Sequence, residues 1–286
     1  MKKKWSFLII VMVLMFVIKG FSSTTMIENS ATWIWNPYLL DSKGEEYIAF
    51  MQEQGVKKVF VQVDVEVPNE IYRTFFEKAR AADIAVYALD GGRGWGENRQ
   101  PAEVFMEWVE QLQQEEPLLA GIHIDVEPYL LEQWTTDRQQ VIQNYFDIVS
   151  ILRQFTTGQN LAFEVDIPFW FDTIPYENAY GKGLVSEWII DTADVVTLMA
   201  YRNQAEGENG IIGLVETELS YAQEKGKKVV VGVETLSSDE GTYISFAGMS
   251  KYELKNETDK VTAAYRQNPA FSGIAVHYID PWMDMK

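Results

Sequence analysis

Gly121-Ile122-His123-Ile124-Asp125-Val126-Glu127 is the stretch that decides the fold. Its glycine and polar residues fall at every second position, with Ile122, Ile124 and Val126 between them. Side chains of a strand alternate between two faces, so the two sets point opposite ways. A strand with aliphatic residues on one face and His123, Asp125 and Glu127 on the other packs its apolar side under helices. Its polar side then faces an interior shared with other strands. The same parity sends Glu164 with Asp166, and Gln62 with Asp64, to that interior.

Outward from this segment, apolar β-rich runs alternate with helical patterns. Strands are expected at 32–35, 56–64, 84–90, 121–127, 161–167, 195–201, 229–234 and 273–278. Helical segments are expected at about 43–54, 69–82, 101–115, 136–155, 183–192, 213–226 and 250–267. Asn69 and Ser250 read as helix caps, Pro101 as a first-turn residue, and Gly55 and Gly226 as helix stops. Eight strands alternating with helices predict parallel βα units. Eight such units match the (β/α)8 TIM barrel, which takes roughly 250 residues. An open doubly wound sheet is the alternative, but the glycine-rich first turn it normally carries is not present. No Pro/Ser-rich spacer interrupts the chain, so residues 23–286 read as one barrel domain. Four residues follow Trp282 in this sequence, so the eighth helix is expected to be missing. Residues 24–30 or a partner are expected to cover that place.

Ahead of the barrel, Lys2, Lys3 and Lys4 precede an apolar-rich run from Trp5 to Ile18, followed by Gly20 and Ser22. This is the layout of a secretory signal, read here as residues 1–22. The run is shorter than the ~20 residues a spanning helix needs. A secreted or cell-surface chain with no stable membrane span after cleavage is therefore expected. The net charge is −18, and it becomes −22 without the four lysines of residues 1–22. Such a chain repels phosphate backbones and anionic lipid, which argues against nucleic acid as a partner. There is no cysteine, so disulfides, thiolate metal sites and cysteine nucleophiles are excluded. With two histidines, His123 and His277, sites built on three are excluded within one chain. No dinucleotide or P-loop motif is present, and no cofactor is expected.

Chemistry in such barrels sits at the C-terminal ends of the strands. Those ends carry Trp35, Asp64 with Glu66, Asp90, Asp125 with Glu127, Glu164 with Asp166, Tyr201-Arg202, Glu234, and His277 with Asp280 and Trp282. One carboxylate after a strand reads as the cap of the next helix. Several aimed into one lumen repel one another and must be desolvated, which stability alone does not favour. Trp95 in the glycine-rich loop 91–100, and Phe169-Trp170-Phe171 after strand five, are candidate sugar platforms. His123 lies deeper than Asp125 and reads as a supporting hydrogen-bond partner behind the site, not as a metal ligand.

The segment Ala120-Gly121-Ile122-His123-Ile124-Asp125-Val126-Glu127 resembles the strand-four signature of family 18 glycoside hydrolases, the chitinase-type barrels, Asp-Gly-x-Asp-x-Asp-x-Glu. Met199-Ala200-Tyr201 is similar to that family's Met-x-Tyr element, and Asp90-Gly91-Gly92 to its Ser-x-Gly-Gly turn. The run from Gly273 to His277 takes the place of its last strand. The resemblance implies that Glu127 is the general acid, that Asp125 holds the substrate's 2-acetamido group, and that Tyr201 hydrogen-bonds it. In that family the acetamido oxygen is the nucleophile. The implied substrate is an N-acetylated glycan, a chitin-like or cell-wall polymer. Ala120 and His123 stand where the family has aspartates, and Arg202 where it commonly has another. His277 stands where the family has a tryptophan, so Trp35, Trp95, Trp170 or Trp282 is expected to supply the stacking floor. Asp64, Asp90, Asp166, Met199, Arg202, Glu234 and His277 complete the candidate binding set. Two other readings of the same residues remain open. One is a catalytically silent carbohydrate-binding barrel. The other is an enzyme holding a divalent metal through Asp64, Asp125, Glu127 and Asp166 with His123.

Overall fold

The computed structural model describes Ile27 and residues 30–286. The segment 1–22 read as an export signal lies outside the described residues, as does most of the stretch 24–30. The elements run β1 (Ser30–Ile34), α1 (Leu40–Gln54), β2 (Val56–Gln62), α2 (Asn69–Ala81), β3 (Ala85–Asp90), α3 (Gln100–Glu115) and β4 (Gly121–Ile124). They continue with α4 (Gln133–Thr136), α5 (Arg138–Gln159), β5 (Ala162–Pro168), β6 (Pro175–Asn178), β7 (Gly181–Leu184), α6 (Val185–Thr192) and β8 (Val195–Met199). The last are α7 (Ile211–Leu214), α8 (Glu216–Lys225), β9 (Lys228–Glu234), α9 (Lys251–Tyr265), β10 (Phe271–His277) and α10 (Ile279–Asp284).

Strands β1, β2, β3, β4, β5, β8, β9 and β10 close a parallel barrel in chain order, β10 pairing back onto β1. This is the (β/α)8 TIM barrel expected from the alternation of strands and helices. The two faces of each strand build two cores. Ile122, Ile124, Val126, Val165, Ile167, Val196 and Leu198 join the large outer core beneath the helices. Ala31, Trp33, Phe60, Tyr87, Leu89, Val230 and Ala275 fill the lumen. Burying one such large apolar side chain contributes about 1.5–3 kcal/mol. Ser250 caps α9 in a reciprocal capping box with Glu253, and Pro101 lies in the first turn of α3. Gly55 and Gly226 end α1 and α8.

The structure departs from expectation in four places. Asn69 is the first residue of α2, not its cap; its Oδ1 accepts from Trp108 Nε1 at 2.9 Å. Strand β4 stops at Ile124, so Asp125 and Glu127 stand above the ladder. An antiparallel hairpin, β6–β7, is inserted after β5; its sequence lacks the apolar alternation that marks a strand. The place of the eighth helix holds the six-residue α10 in lieu of a full helix. Ile279 and Trp282 of α10 are fully buried, and Trp282 meets Phe50 edge-on at 5.1 Å. Ile27 is also buried, its N–H donating to Gln54 O at 3.0 Å. Among the described residues no helix is long and apolar enough to cross a membrane.

Candidate active site

Inside the barrel the polar residues lie at two levels. At the lower level Lys58, projecting inward on β2 with Phe60, pairs with Glu164. His123 Nδ1 lies 3.6 Å from the other Glu164 oxygen, and its Nε2 lies 2.8 Å from Asp166 Oδ1. Trp33 Nε1 donates to Asp166 Oδ2 at 3.2 Å. Phe60 stacks on the His123 ring at 3.7 Å, and Lys58 Nζ sits 4.7 Å from the Tyr87 ring centre. Burial pulls His123 toward neutrality, but the Asp166 and Glu164 carboxylates outweigh it and hold its pKa at about 9. Burial raises Glu164, but hydrogen bonding from His123 and the Lys58 charge bring it below the usual carboxylate range. The result is a chain of alternating sign: lysine, glutamate, histidine, aspartate. It gives Glu164 and Asp166 partners of opposite charge inside the barrel. Asp166, 3% exposed and held by Trp33 and His123, belongs to this network and is not open to a substrate. Among the described residues no three His, Asp or Glu side chains converge on a metal position.

Above this network stand Asp125 and Glu127. The Asp125 N–H donates to Asp90 O at 3.1 Å. Gly91 has φ of 158°, and a Cβ there would lie 2.4 Å from the Asp125 carbonyl oxygen, so only glycine lets the β3 loop approach so closely. Asp90 accepts from the Gly91 N–H at 2.7 Å. Burial raises its pKa to about 6 against that bond. Burial, then the Asp166 and Glu127 charges, hold Asp125 well above the usual range, against the opposing pull of His123. Its Oδ1 is buried and has no hydrogen-bond partner. Tyr129, two residues beyond Glu127, donates its hydroxyl to Glu127 Oε1. Burial, Glu234 and the lumenal acids raise Tyr201 well above its ordinary value, so it remains a hydroxyl.

Glu127, Tyr201, Met199, Arg202, Glu234 and Trp170 line one cleft of about 360 Å³, together with Tyr129 and Phe169. Trp170 meets Tyr129 at 5.1 Å. His277 stands behind this wall, its Nδ1 2.8 Å from Glu234 Oε2 and its ring 5.9 Å from that of Tyr201. Trp35 Nε1 donates to His277 Nε2 at 2.7 Å. That leaves Nδ1 to carry the hydrogen that Glu234 accepts. The other Glu234 oxygen accepts the Thr235 and Leu236 N–H groups at 2.7 Å each. Asp64 sits apart on the β2 rim, accepting from Tyr38 at 2.9 Å.

Two expected platforms are corrected. Trp95 is 4% exposed and packs on Phe105, because loop 91–100 folds down against α3. Trp282 lies outside the barrel on α10, turned against Phe50 of α1, with no exposed surface. Lys58, Trp33 and Tyr129 were missed. The parity that placed Gln62 and Asp64 inside also places Lys58 there. The same rule sends Trp33 inward with Trp35.

The chain matches no family model and no curated protein. Its fold does match solved structures. The family 18 chitinase of Cycas revoluta, in complex with (GlcNAc)3, is 11% identical over 90% of this chain and 96% of that one, with a TM-score of 0.56. Catalytic domain 2 of the group II chitinase of Ostrinia furnacalis is 12% identical over 89% and 90%, at 0.54. The β-mannanase of the blue mussel Mytilus edulis is 12% identical over 88% and 87%, at 0.54. The chain has a chitinase-type TIM barrel, a fold it shares with glycoside hydrolases.

Proposed function

On the premise of that barrel, we propose that the protein is an exported glycosidase that cleaves an N-acetylated glycan with assistance from the substrate's own acetamido group. The observation that carries this reading is that Glu127 and Tyr201 share the wall of an aromatic-lined cleft, with Asp125 two residues before Glu127 above the end of β4. Glu127 gives its proton to the glycosidic oxygen as that bond breaks. The acetamido oxygen attacks the anomeric carbon, forming a bicyclic oxazolinium ion. The Asp125 carboxyl group accepts the amide N–H and so turns the acetamido oxygen toward the reacting carbon. The Tyr201 hydroxyl donates to that oxygen and positions it. Water then opens the ion, and Glu127 takes the proton back. Trp170 and Phe169 supply the apolar faces on which sugar rings stack. The lysine-led apolar start of the chain supports export.

The test is digestion of chitooligosaccharides and of their de-N-acetylated counterparts, with product anomers read by NMR. Cleavage of the acetylated series alone, with retained configuration, is expected. Equal cleavage of both overturns the assisted mechanism. Binding without cleavage favours a carbohydrate-binding barrel.

A further inference from the structure

Arg202 follows Tyr201 at the end of β8 and lines two adjoining hollows. One is the Glu127 cleft. The other, of about 400 Å³, is edged by Asn203, Asn209 and Tyr243. The guanidinium is clamped between two rings, 5.3 Å from the centre of Phe169 and 5.2 Å from that of Tyr243. The Asn203 side chain fixes the upper ring's loop, donating to Thr242 O at 2.8 Å and to Ser245 O at 3.0 Å. The fork is thus held in place, yet its hydrogen bonding is incomplete. Nη1 donates to Tyr201 O at 2.7 Å, and Nε is buried with no acceptor. Glu127, Glu234, Glu240 and Glu208 line the same two hollows. Among the described residues none of them forms an ion pair with Arg202. Glu234 is already occupied by His277 and two backbone N–H groups.

A planar, permanently charged fork held on aromatic faces suits two-point recognition of a carboxylate. A guanidinium without a carboxylate partner, on the wall of a cleft that glutamates also line, is not explained by stability in a chain of net charge −18. We propose that Arg202 is the anion subsite of this cleft, and that the glycan it selects carries a carboxylate on a sugar next to the N-acetylated one. This rests on the glycan reading above and narrows it to an acidic polymer. Repulsion by the chain's overall charge is screened beyond about 8 Å at physiological salt, whereas the Arg202 contact acts at hydrogen-bond range.

The carboxylate has two chemical sources, a lactyl ether on a hexosamine, as in bacterial cell wall, or a uronate ring. The test uses the full chain carrying Glu127→Gln, so that ligand is bound and not consumed. Calorimetry compares chitotetraose, a tetrasaccharide of alternating N-acetylglucosamine and its 3-O-lactyl ether, a hyaluronan tetrasaccharide, and the methyl esters of the two acids. One acid is expected to bind at least 10-fold more tightly than its own ester, and which one does so identifies the source. Adding Arg202→Gln is expected to abolish that preference, bringing each acid to the affinity of its own ester. The ester comparison needs no change at Arg202, so a misfolded variant does not spare the proposal. Gly241→Ala gives a second handle, because a Cβ there would lie 2.5 Å from the Tyr243 ring and push it off Arg202. It is expected to weaken the acid several-fold more than chitotetraose. Chitotetraose bound as well as either acid, with esters equal to acids, overturns the subsite alone. Failure of every oligosaccharide to bind overturns the glycan reading and the subsite together.

Discussion

The lower lumen and the cleft wall are made of the same residue types, and they differ in how their polar groups are matched. Below, Lys58, Glu164, His123 and Asp166 stand in charge contact one after the next with alternating sign, and Trp33 donates to Asp166. Above, among the described residues, neither Asp125 nor Glu127 forms an ion pair with a cation, and Arg202, on the wall of the same cleft as Glu127, forms none with a carboxylate. Removing one partner of a buried charge pair is strongly destabilising. Charged groups left unmatched beside a cavity are available to a ligand. The contrast separates the acids that hold the barrel from those available for chemistry, a distinction their common residue type conceals.

The strongest way to break this comparison is Glu127→Gln, which keeps shape and removes the acid. Turnover is expected to fall about 10²–10⁴-fold, as for the loss of general acid catalysis, while the melting temperature stays within a degree or two. Asp125→Asn and then Tyr201→Phe are expected to give progressively smaller losses on acetylated substrates. Turnover and melting curves on the same three proteins check both halves. Full activity in folded Glu127→Gln removes the chitinase-type mechanism.

Lys58→Met attacks the other region. It leaves Glu164 buried with one cation in place of two, at a cost of roughly 3 kcal/mol. Denaturant unfolding measures this, and activity per folded molecule is expected to hold. An unchanged midpoint shows that the lower network is not structural.

The pH profile sharpens the comparison. His123 has its pKa raised from 6.5 to about 9 in the fold, so its contribution is complete below pH 6.5 and is lost as pH rises through 9. Glu218, buried on α8 with both oxygens unpartnered, is raised from 4.5 to about 8 by burial, with Asp172 adding to it. The fold therefore prefers the protonated acid, and stability falls as pH climbs from 4.5 to 8. Both groups act in the same direction, and thermal melts are expected to drop most steeply between pH 6.5 and 8. Glu218→Gln is expected to raise stability at pH 8 and to leave it unchanged at pH 4.5. A flat profile in the parent protein contradicts both assignments.

Gly91→Ala forces the β3 loop off the Asp125 backbone, and an activity loss of about 10-fold, or 1.4 kcal/mol, with little change in melting is expected. Steady-state kinetics and a melt decide it, and loss of both together places Gly91 with the scaffold. The smallest effect is expected from Trp35→Phe, which deletes the donor to His277 Nε2. One hydrogen bond is worth about 1 kcal/mol, a melting shift of about 2–4 °C in a chain of this size.

Most of the barrel was legible because its rule is local. Period-two alternation fixes which residues face the lumen whatever their partners, so the eight strand positions and the inward placement of His123, Asp125, Glu164 and Asp166 follow from spacing alone. The Ser250 cap and the Gly55 and Gly226 stops are legible for the same reason, each being decided within one turn of helix. The hairpin β6–β7 escaped because its pairing depends on a two-residue turn and on Tyr176 packing against Phe146, not on pattern. Composition cannot tell a tryptophan that floors a cleft from one that fills a core. Trp35, Trp95, Trp170 and Trp282 look alike in the chain, and only the fold of loop 91–100 and the seat of α10 separate them. The sequence by itself determined a parallel eightfold barrel with acids pointing inward, since side-chain alternation is a property of the strand. Only the tertiary structure decided which acids meet a cation and which meet a cavity. Lys58, Glu164, His123 and Asp166 come from three different strands, and electrostatic pairing acts through space, not along the chain.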